Sequence, residues 1–359
     1  MFWCCRERGS GERQVEVDLI VRSAHSTLGL DCDPALPALG NKYVPELPAP
    51  HKHRADDIAA TIMMSLGTSA LLKGVQGDAS HGHRPSSGPS ERVAVSEEEA
   101  KAMSLMAAAM SPDDERAARQ ALVEGERLES CLSRFLRAKH LRADPALRLL
   151  AADLRWRREV LPAAMAERPP EEVVGCRRAT LQENMPSWLQ GFDRQGRPLI
   201  FSHYGKFRCG PFLEETTVDS MIQLQIHNSE RAARICGLQS IRLNRNISSV
   251  CSVIDAEGCD PNNFKTRHVY TWARAISKIE EQHYPGRLGV MIIINAPSVV
   301  HRFWTIVQGF LPADLRSKVH LYAGKEQWAP ELLELVEPDQ LPPRYGGSGA
   351  HRGELGIPL

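Results

Sequence analysis

The sequence predicts an α/β fold: an N-terminal helical bundle followed by a mostly parallel sheet covered by helices. Two observations predict it. Four short apolar runs, Leu199–Tyr204, Val250–Ile254, Val290–Ile294 and Val319–Tyr322, alternate with long helical patterns. Nearly continuous apolar strands separated by helices mark a parallel sheet with covered faces. Upstream, between residues 96 and 165, apolar residues recur at helical spacing and are punctuated by capping residues and prolines.

Taken in order, residues 1–95 read as a largely disordered N-terminal region. Asp31–Pro50 is rich in Pro, Ala and Leu, and Gly77–Ser90 is mostly Gly, Ser, His and Pro. Such composition cannot bury enough apolar surface to fold alone. A short helix over Asp56–Leu72 is compatible with the pattern. Order is expected from Ser96, where Ser96-Glu97-Glu98-Glu99 reads as a capping box with acids in the first turn. Met103, Met106 and Met110 follow at helical spacing, and Ser111-Pro112-Asp113-Asp114 ends that helix and starts the next. Leu128, Cys131, Leu132 and Phe135 share a face, and Asp144-Pro145 reads as another cap-plus-Pro start. Leu147, Leu150, Ala151 and Leu154 make the next stripe, which Pro162 ends. Residues 96–165 are therefore predicted as a helical bundle, 166–347 as the α/β domain and 348–359 as a tail. Within the α/β domain, Gly191–Pro198 reads as a turn into the first strand. Val218, Met221, Ile222 and Ile226 mark one covering helix; Val269, Trp272, Ile276 and Ile279 mark another.

Composition narrows the function. The 359 residues are 42% hydrophobic and 25% charged, with 44 basic and 44 acidic residues. A formal net charge of zero gives no reason to expect nucleic acid as a partner. The nine cysteines form no Cys-x-x-Cys pair, which points to a reducing compartment and to neither a disulfide framework nor a zinc ribbon. No run approaches the roughly 20 apolar residues of a membrane span. A cytoplasmic protein is expected.

The motifs of common α/β enzymes are missing. No G-x-G-x-x-G follows a predicted strand, and there is no G-x-S-x-G or H-E-x-x-H. Gly191 and Gly196 have phosphate-loop spacing, but Arg197-Pro198 follows them and no helix does. His51/His53 and His81/His83 lie in polar, flexible sequence, too thin a signal for a metal site. No catalytic residue, metal or cofactor is predicted.

Residues 298–311 (SVVHRFWTIVQGFL) stand out. Val300, Phe303, Trp304, Val307 and Leu311 form one apolar face; Val299, Ile306 and Phe310 form a second. A helix apolar on nearly all sides is either an ordinary core helix or a lid between an apolar cavity and a bilayer.

At this point the chain resembles a known family. Arg134-Phe135-Leu136-Arg137-Ala138, Trp156-Arg157, Asp193–Pro198, Asp255-Ala256-Glu257-Gly258, Tyr284-Pro285-Gly286-Arg287, Ile294-Asn295-Ala296-Pro297 and Leu341–Gly347 occur in the order of the Sec14-like (CRAL-TRIO) lipid-transfer proteins. The resemblance covers roughly residues 115–347 and rests on seven motifs in sequence. It implies an internal hydrophobic lipid pocket closed by a gate helix, which falls on Val299–Leu311 and favours the lid.

The resemblance also implies ligand residues. Phosphatidylinositol-binding members carry a headgroup Lys just after the Arg-Phe-Leu-Arg-Ala motif; His140 stands there, preceded by Lys139. A second Lys after the gate matches Lys318, and a Glu before the Tyr-Pro motif is replaced by Ala275. Two hydroxyl residues that contact phosphatidylcholine match Val250 and Ser252, so one is lost. Lys139, His140, Ser252 and Lys318 are thus the expected headgroup residues. Either lysine would pair with phosphate as a point charge, and His140 would donate to it when protonated. Phe201, Tyr204, Val253, Met291 and Ile293 are the candidate pocket lining, with Val300, Phe303, Trp304 and Val307 on the gate. Because side chains alternate along a strand, some of the lining set must face the other way.

The implied partners are one phospholipid or similar hydrophobic molecule and, peripherally and transiently, a membrane surface; a monomer is expected. Between Arg127 and Arg158, nine basic residues face Glu129, Asp144 and Asp153, enough for weak attraction to an anionic leaflet. Cys4 and Cys5 are either acylated or part of a free tail. Two functions compete: a lipid-binding and transfer protein, and a lipid-sensing signalling or scaffold module that recruits an enzyme through its N-terminal region.

Overall fold

The computed structural model describes residues 95–259, 267–298, 300–301 and 316–349. The predicted Asp56–Leu72 helix, both His pairs, Cys4 and Cys5 lie outside them, as do most of the two predicted tails.

Four helices come first: α1 (Glu97–Ala109), α2 (Pro112–Ala121), α3 (Leu128–Ala138) and α4 (Ala143–Val160). Their faces meet in one core of Met106, Leu132, Phe135, Leu136, Leu150 and Leu154. The capping signals act largely as read. Ser96 Oγ accepts from Glu99 N at 3.1 Å and Ser111 Oγ from Asp114 N at 3.0 Å. Only half of the Ser96 box forms, because the Glu99 side chain turns inward to Ser133 and Arg137. Asp144 is not a cap; α4 already begins at Ala143, and Asp144 sits in its first turn facing the helix dipole. α4 ends where Leu161 takes a left-handed conformation ahead of Pro162.

Three short helices, α5 (Pro162–Met165), α6 (Pro170–Val174) and α7 (Arg178–Asn184), lead to the α/β part. There β1 (Ser187–Phe192), β2 (Pro198–His203), α8 (Cys209–Glu215), α9 (Val218–Leu243), β3 (Val250–Asp255), α10 (Arg267–His283), β4 (Leu288–Ile294), β5 (Val319–Leu321) and α11 (Lys325–Leu335) follow. The strands stand in the order β1-β2-β3-β4-β5; β1 runs antiparallel to β2, and the other pairs are parallel.

The antiparallel edge strand β1 is the element the sequence reading missed. Its Ser-Trp-Leu-Gln-Gly-Phe alternates weakly and carries a register shift between Leu189 and Phe192. The predicted Gly191–Pro198 turn is shorter than expected, since Gly191 and Phe192 belong to β1. Asp193 builds what remains: its Oδ1 accepts from Gln195 N and Arg197 N at 2.9 and 2.8 Å. The first predicted strand ends at His203, and Tyr204 opens a short 3₁₀ turn.

Strand order that follows chain order, with right-handed crossovers, places the crossover helices on one face. The two cores agree. On one face Ile254, Met291, Ile293 and Val319 pack under residues of α9 and α10, among them Met221, Ile222, Trp272 and Ile276. On the other, Leu199, Phe201, Cys251, Val253, Val290 and Ile292 pack under Trp328 and Leu332 of α11.

The bundle is locked to the α/β part by buried charge. Glu126 accepts from Arg134 Nη2 at 2.7 Å and from Arg287 Nη2 at 3.0 Å, while Arg134 Nη1 donates to Pro285 O at 3.2 Å. Burial alone would raise the Glu126 carboxyl, but the two guanidiniums hold it at about 2. A second group joins α4, α9 and α10. Arg157 reaches Asp153 at 3.0 Å and Glu230 at 2.7 Å, Tyr284 Oη donates to Glu230 at 2.9 Å, and His283 Nδ1 lies 2.9 Å from Asp153. The Arg-Phe-Leu-Arg-Ala, Trp-Arg and Tyr-Pro-Gly-Arg motifs are therefore parts of one clamp. Backbone proximity seals it: a Cβ on Gly237 of α9 would lie 1.9 Å from Glu124 O.

Candidate functional site

A half-open cleft of about 490 Å³, counted out to its mouth, lies between the β1–β2 edge and the N-terminal half of α9. Ser187 and Ser202 contribute from the two strands, Tyr204 and Phe207 from the segment after β2, and Trp272 from α10. α9 supplies Met221, Leu224, Gln225 and Asn228, at the i, i+3, i+4, i+7 positions of one helical face. Phe207 and Trp272 stack with centroids 5.8 Å apart, which makes an apolar wall.

The polar groups on the cleft are mostly neutral and firmly held. Ser187 Oγ and Ser202 Oγ are hydrogen-bonded across the strand pair at 3.1 Å. Gln225 Nε2 donates to Glu280 at 2.9 Å and to Ser229 Oγ at 3.4 Å, and Ser229 Oγ donates to the same carboxyl at 2.8 Å. Burial pushes the Glu280 carboxyl up, against the lowering effect of those two bonds. Next to Asn228, His227 is buried and its Nε2 lies 3.0 Å from Arg168 O. Burial moves its imidazole down.

At the C-terminal end of β3, three of the sequence motifs meet at Asp255. This fully buried carboxylate accepts from Glu257 N at 3.0 Å, capping the turn after β3, and from Asn295 Nδ2 at 2.8 Å. Arg344 Nε donates to it at 3.2 Å and Tyr345 Oη at 3.4 Å. Asn295 holds a left-handed turn at φ 52° and accepts from Trp328 Nε1 at 2.9 Å. Ligand atoms of His203, Asp255 and Glu257 lie within 4.8 Å of one another, the one such grouping among the described residues. Arg344 bonds both carboxylates, to Glu257 at 2.7 Å, so a guanidinium already supplies the positive charge there.

The sequence-predicted residues scatter. Tyr204 lines the cleft. Met291, Ile293 and Val300 belong to the core cluster that includes the cleft residues Met221 and Trp272. Phe201 and Val253 do not face it. They pair across β2 and β3 on the opposite face, where Phe201 stacks between Trp188 and Tyr345 at 5.3 and 5.2 Å, a plain core position. Strand alternation is the reason. Ser252 is buried on the Met291 side. Lys318 precedes β5, and its carbonyl accepts from Met291 N at 2.7 Å. Lys139 caps α3, and His140 is exposed with φ 52° in the α3–α4 turn. Among the described residues no hydrogen bond joins any of Lys139, His140, Ser252 and Lys318 to another. Phe303, Trp304 and Val307 lie outside the described residues.

The α9 residues were missed. The helix was identified by its apolar stripe, Val218, Met221, Ile222 and Ile226. The signal that marks the cleft is the pair of amides, Gln225 and Asn228, interrupting that stripe.

A helical bundle clamped to a mostly parallel sheet, with a part-apolar cleft between the sheet and α9, makes this an α/β protein with one candidate ligand site among the described residues. Comparison with known proteins makes this specific: residues 182–347 match the CRAL/TRIO domain. The chain is similar to Sec14-like CRAL-TRIO proteins over this stretch and the helices before it. It is 28% identical over 223 residues to phosphatidylinositol/phosphatidylcholine transfer protein SFH9 of Arabidopsis thaliana, covering 61% of this chain and 37% of that one. It is 30% identical over 234 residues to SFH13 of the same plant, covering 63% and 35%. The matched region thus spans little more than a third of those relatives. A CRAL-TRIO domain-containing protein of Saccharomyces cerevisiae is 28% identical over 228 residues, covering 62% of this chain and 72% of its own. The crystal structure of Sfh5 superposes with a TM-score of 0.54 at 17% identity, covering 72% of this chain and 90% of that one, a likeness of fold. No helix among the described residues is long and apolar enough to cross a membrane.

Proposed function

We propose that this protein binds one phospholipid or similar hydrophobic molecule in the domain interior and transfers or presents it at membrane surfaces, without catalysing a reaction. The observation that carries the reading is the apolar cleft under α9 and α10 in a domain whose relatives are named phosphatidylinositol/phosphatidylcholine transfer proteins. Burial of acyl chains supplies affinity at about 0.8 kcal/mol per CH₂. In this reading residues 299–311 are the gate, with Phe303, Trp304 and Val307 moving between ligand and bilayer. Lys139, His140, Ser252 and Lys318 are candidate headgroup contacts. The protein acts as a monomer, peripherally at the membrane and otherwise in the cytoplasm.

The test is mass spectrometry of lipids retained by the full chain after incubation with mixed phospholipid vesicles and re-isolation. One stoichiometric lipid, absent or reduced in Lys318→Ala, supports both the cavity and the headgroup contact. A folded protein that retains no lipid refutes the reading. Phe303→Asp gives a second arm: transfer between vesicles is lost while the circular dichroism spectrum stays unchanged. Unfolding of that variant would make residues 299–311 an ordinary core helix.

A further inference from the structure

Five large apolar side chains stand exposed among the described residues, and three of them fall at one helix end. Leu238, Ile241 and Leu243 of α9 are 42, 55 and 39% exposed. Single exposed apolar residues are ordinary, but a cluster marks an interaction surface. Leu238 and Ile241 are three residues apart on one helical face, and Arg242 stands one turn beyond Leu238. Leu243 leans over the β1–β2 turn, where its Cδ1 would lie 2.5 Å from a Cβ on Gly196.

The patch protrudes. Every residue from Ile241 to Asn246 is exposed, and Asn244 turns the chain out of the helix at φ 48°. Two arginines border the apolar pair. Arg242 sits in the last turn of α9, where it offsets the negative end of the helix dipole. Arg245 lies just past that turn, with Nη2 on Gln195 O at 2.6 Å. The neighbouring 122–127 segment lies against Ile241 at Gly125 and adds exposed Glu124 and Arg127, whose charges cancel. The surface is therefore apolar at its centre and basic at its rim.

Its place in the fold sets it apart from the cleft. The cleft takes residues from the N-terminal half of α9, and the patch is at the other end, beside the turn into β2 and the chain that enters β3. At 1.5 Å per residue, Ile241 is about 24 Å along the axis from Gln225. β2, β3 and β4 are parallel, so the segment after β4 leaves the sheet from the opposite end.

We propose that this end of α9 is a docking site for an anionic phospholipid surface. Leu238 and Ile241 enter the interface, and Arg242 and Arg245 meet acidic headgroups, their long stems lying along the apolar pair. Charge complementarity calls for an anionic occupant. The shape calls for a bilayer: the anchors are aliphatic and protruding, whereas protein partners are held chiefly by Trp, Tyr and Arg seated in desolvated pockets. Docked here, the protein turns residues 299–311 away from that bilayer and toward a second one. The site is separate from the lipid-binding cleft and does not depend on the cleft being filled.

The experiment is co-sedimentation of the full chain with vesicles of phosphatidylcholine alone and of phosphatidylcholine mixed with phosphatidylserine. The expected result is tighter binding to the mixed vesicles, weakened by salt. Arg242→Ala should lower that binding about fivefold, and Ile241→Asp about tenfold. Both side chains are exposed, so thermal unfolding followed by circular dichroism should be unchanged in either variant. Leu105→Asp, at an exposed apolar residue of α1, is the control and should bind within twofold of the unsubstituted protein.

Equal binding to the two vesicle types overturns the proposal. So does unchanged binding of Ile241→Asp and Arg242→Ala, which would place the membrane contact elsewhere. A larger mass for the unsubstituted protein than for Ile241→Asp by light scattering, without vesicles, would make the patch a contact between copies of the chain and overturn it as well. Loss of retained lipid in the assay described above bears on the cleft alone and leaves this site standing.

Discussion

Trp156 of α4 lies flat on the imidazole of His283 at the end of α10, ring centroids 3.9 Å apart and planes 15° from parallel. The contact joins the helical bundle to the α/β part. The same His283 is tied to Asp153, which also accepts from Arg157 one turn further along α4, so α4 grips α10 by both a ring face and a charge.

Trp156→Ala should cost about 3–5 kcal/mol, as expected for an aromatic core truncation. Trp156→Phe should cost clearly less. It keeps a ring on His283 and removes an indole N–H that is buried without a hydrogen-bond partner among the described residues. Urea denaturation of the two variants gives the comparison; equal losses would show that stacking contributes little.

Glu126 is the single carboxylate between Arg134 and Arg287, so Glu126→Gln leaves two buried guanidiniums short of a counter-charge. The expected loss is about 3–5 kcal/mol. The acid limb has a defined sign. The folded-state value near 2 lies below the ordinary 4.5, so the Glu126 contribution is complete above about pH 4.5 and fades as pH falls toward 2. Its full size is about 3 kcal/mol by linkage. Stability measured from pH 7 to pH 2 should fall less steeply in Glu126→Gln than in the unsubstituted protein, and parallel curves would contradict the assignment.

Gly237 lets α9 pass against the backbone at Glu124, where an added methyl would sit 1.9 Å from the carbonyl oxygen. Gly237→Ala should lower stability by about 1–3 kcal/mol through forced backbone movement, and should raise protease sensitivity in the 122–127 segment. Gly210→Ala, at a helical glycine with open space around its would-be Cβ, is the matched control and should be nearly neutral or mildly stabilising.

Much of the architecture was legible because period and punctuation agreed. Ser96 and Ser111 cap as their spacing demanded, and the apolar runs at 250–254 and 290–294 are the adjacent central strands β3 and β4. β1 escaped because it is an edge strand whose pairing partner, rather than its own pattern, makes it a strand. Pocket residues were harder. Phe201 and Val253 are as apolar as Met291 and Ile293, and only the pleat decides which pair faces α9. Gln225 and Asn228 were hard to see as part of a site for a different reason: the cleft they line is completed by Ser187, Ser202 and Trp272, all remote in sequence.

Asp255 also bears on how the protein is made. Its carboxylate is enclosed by groups from β3, from the turn after β4 and from Arg344 and Tyr345, nearly ninety residues later. A chain emerging from the ribosome can stack β2, β3 and β4 well before residue 344 is translated, but until then Asp255 lacks its Arg344 and Tyr345 partners and the Phe201 ring lacks its cover. The sheet is therefore completed by its last-synthesised segment, and a nascent chain halted before Pro342 should stay a client of the folding machinery rather than settle into the native state.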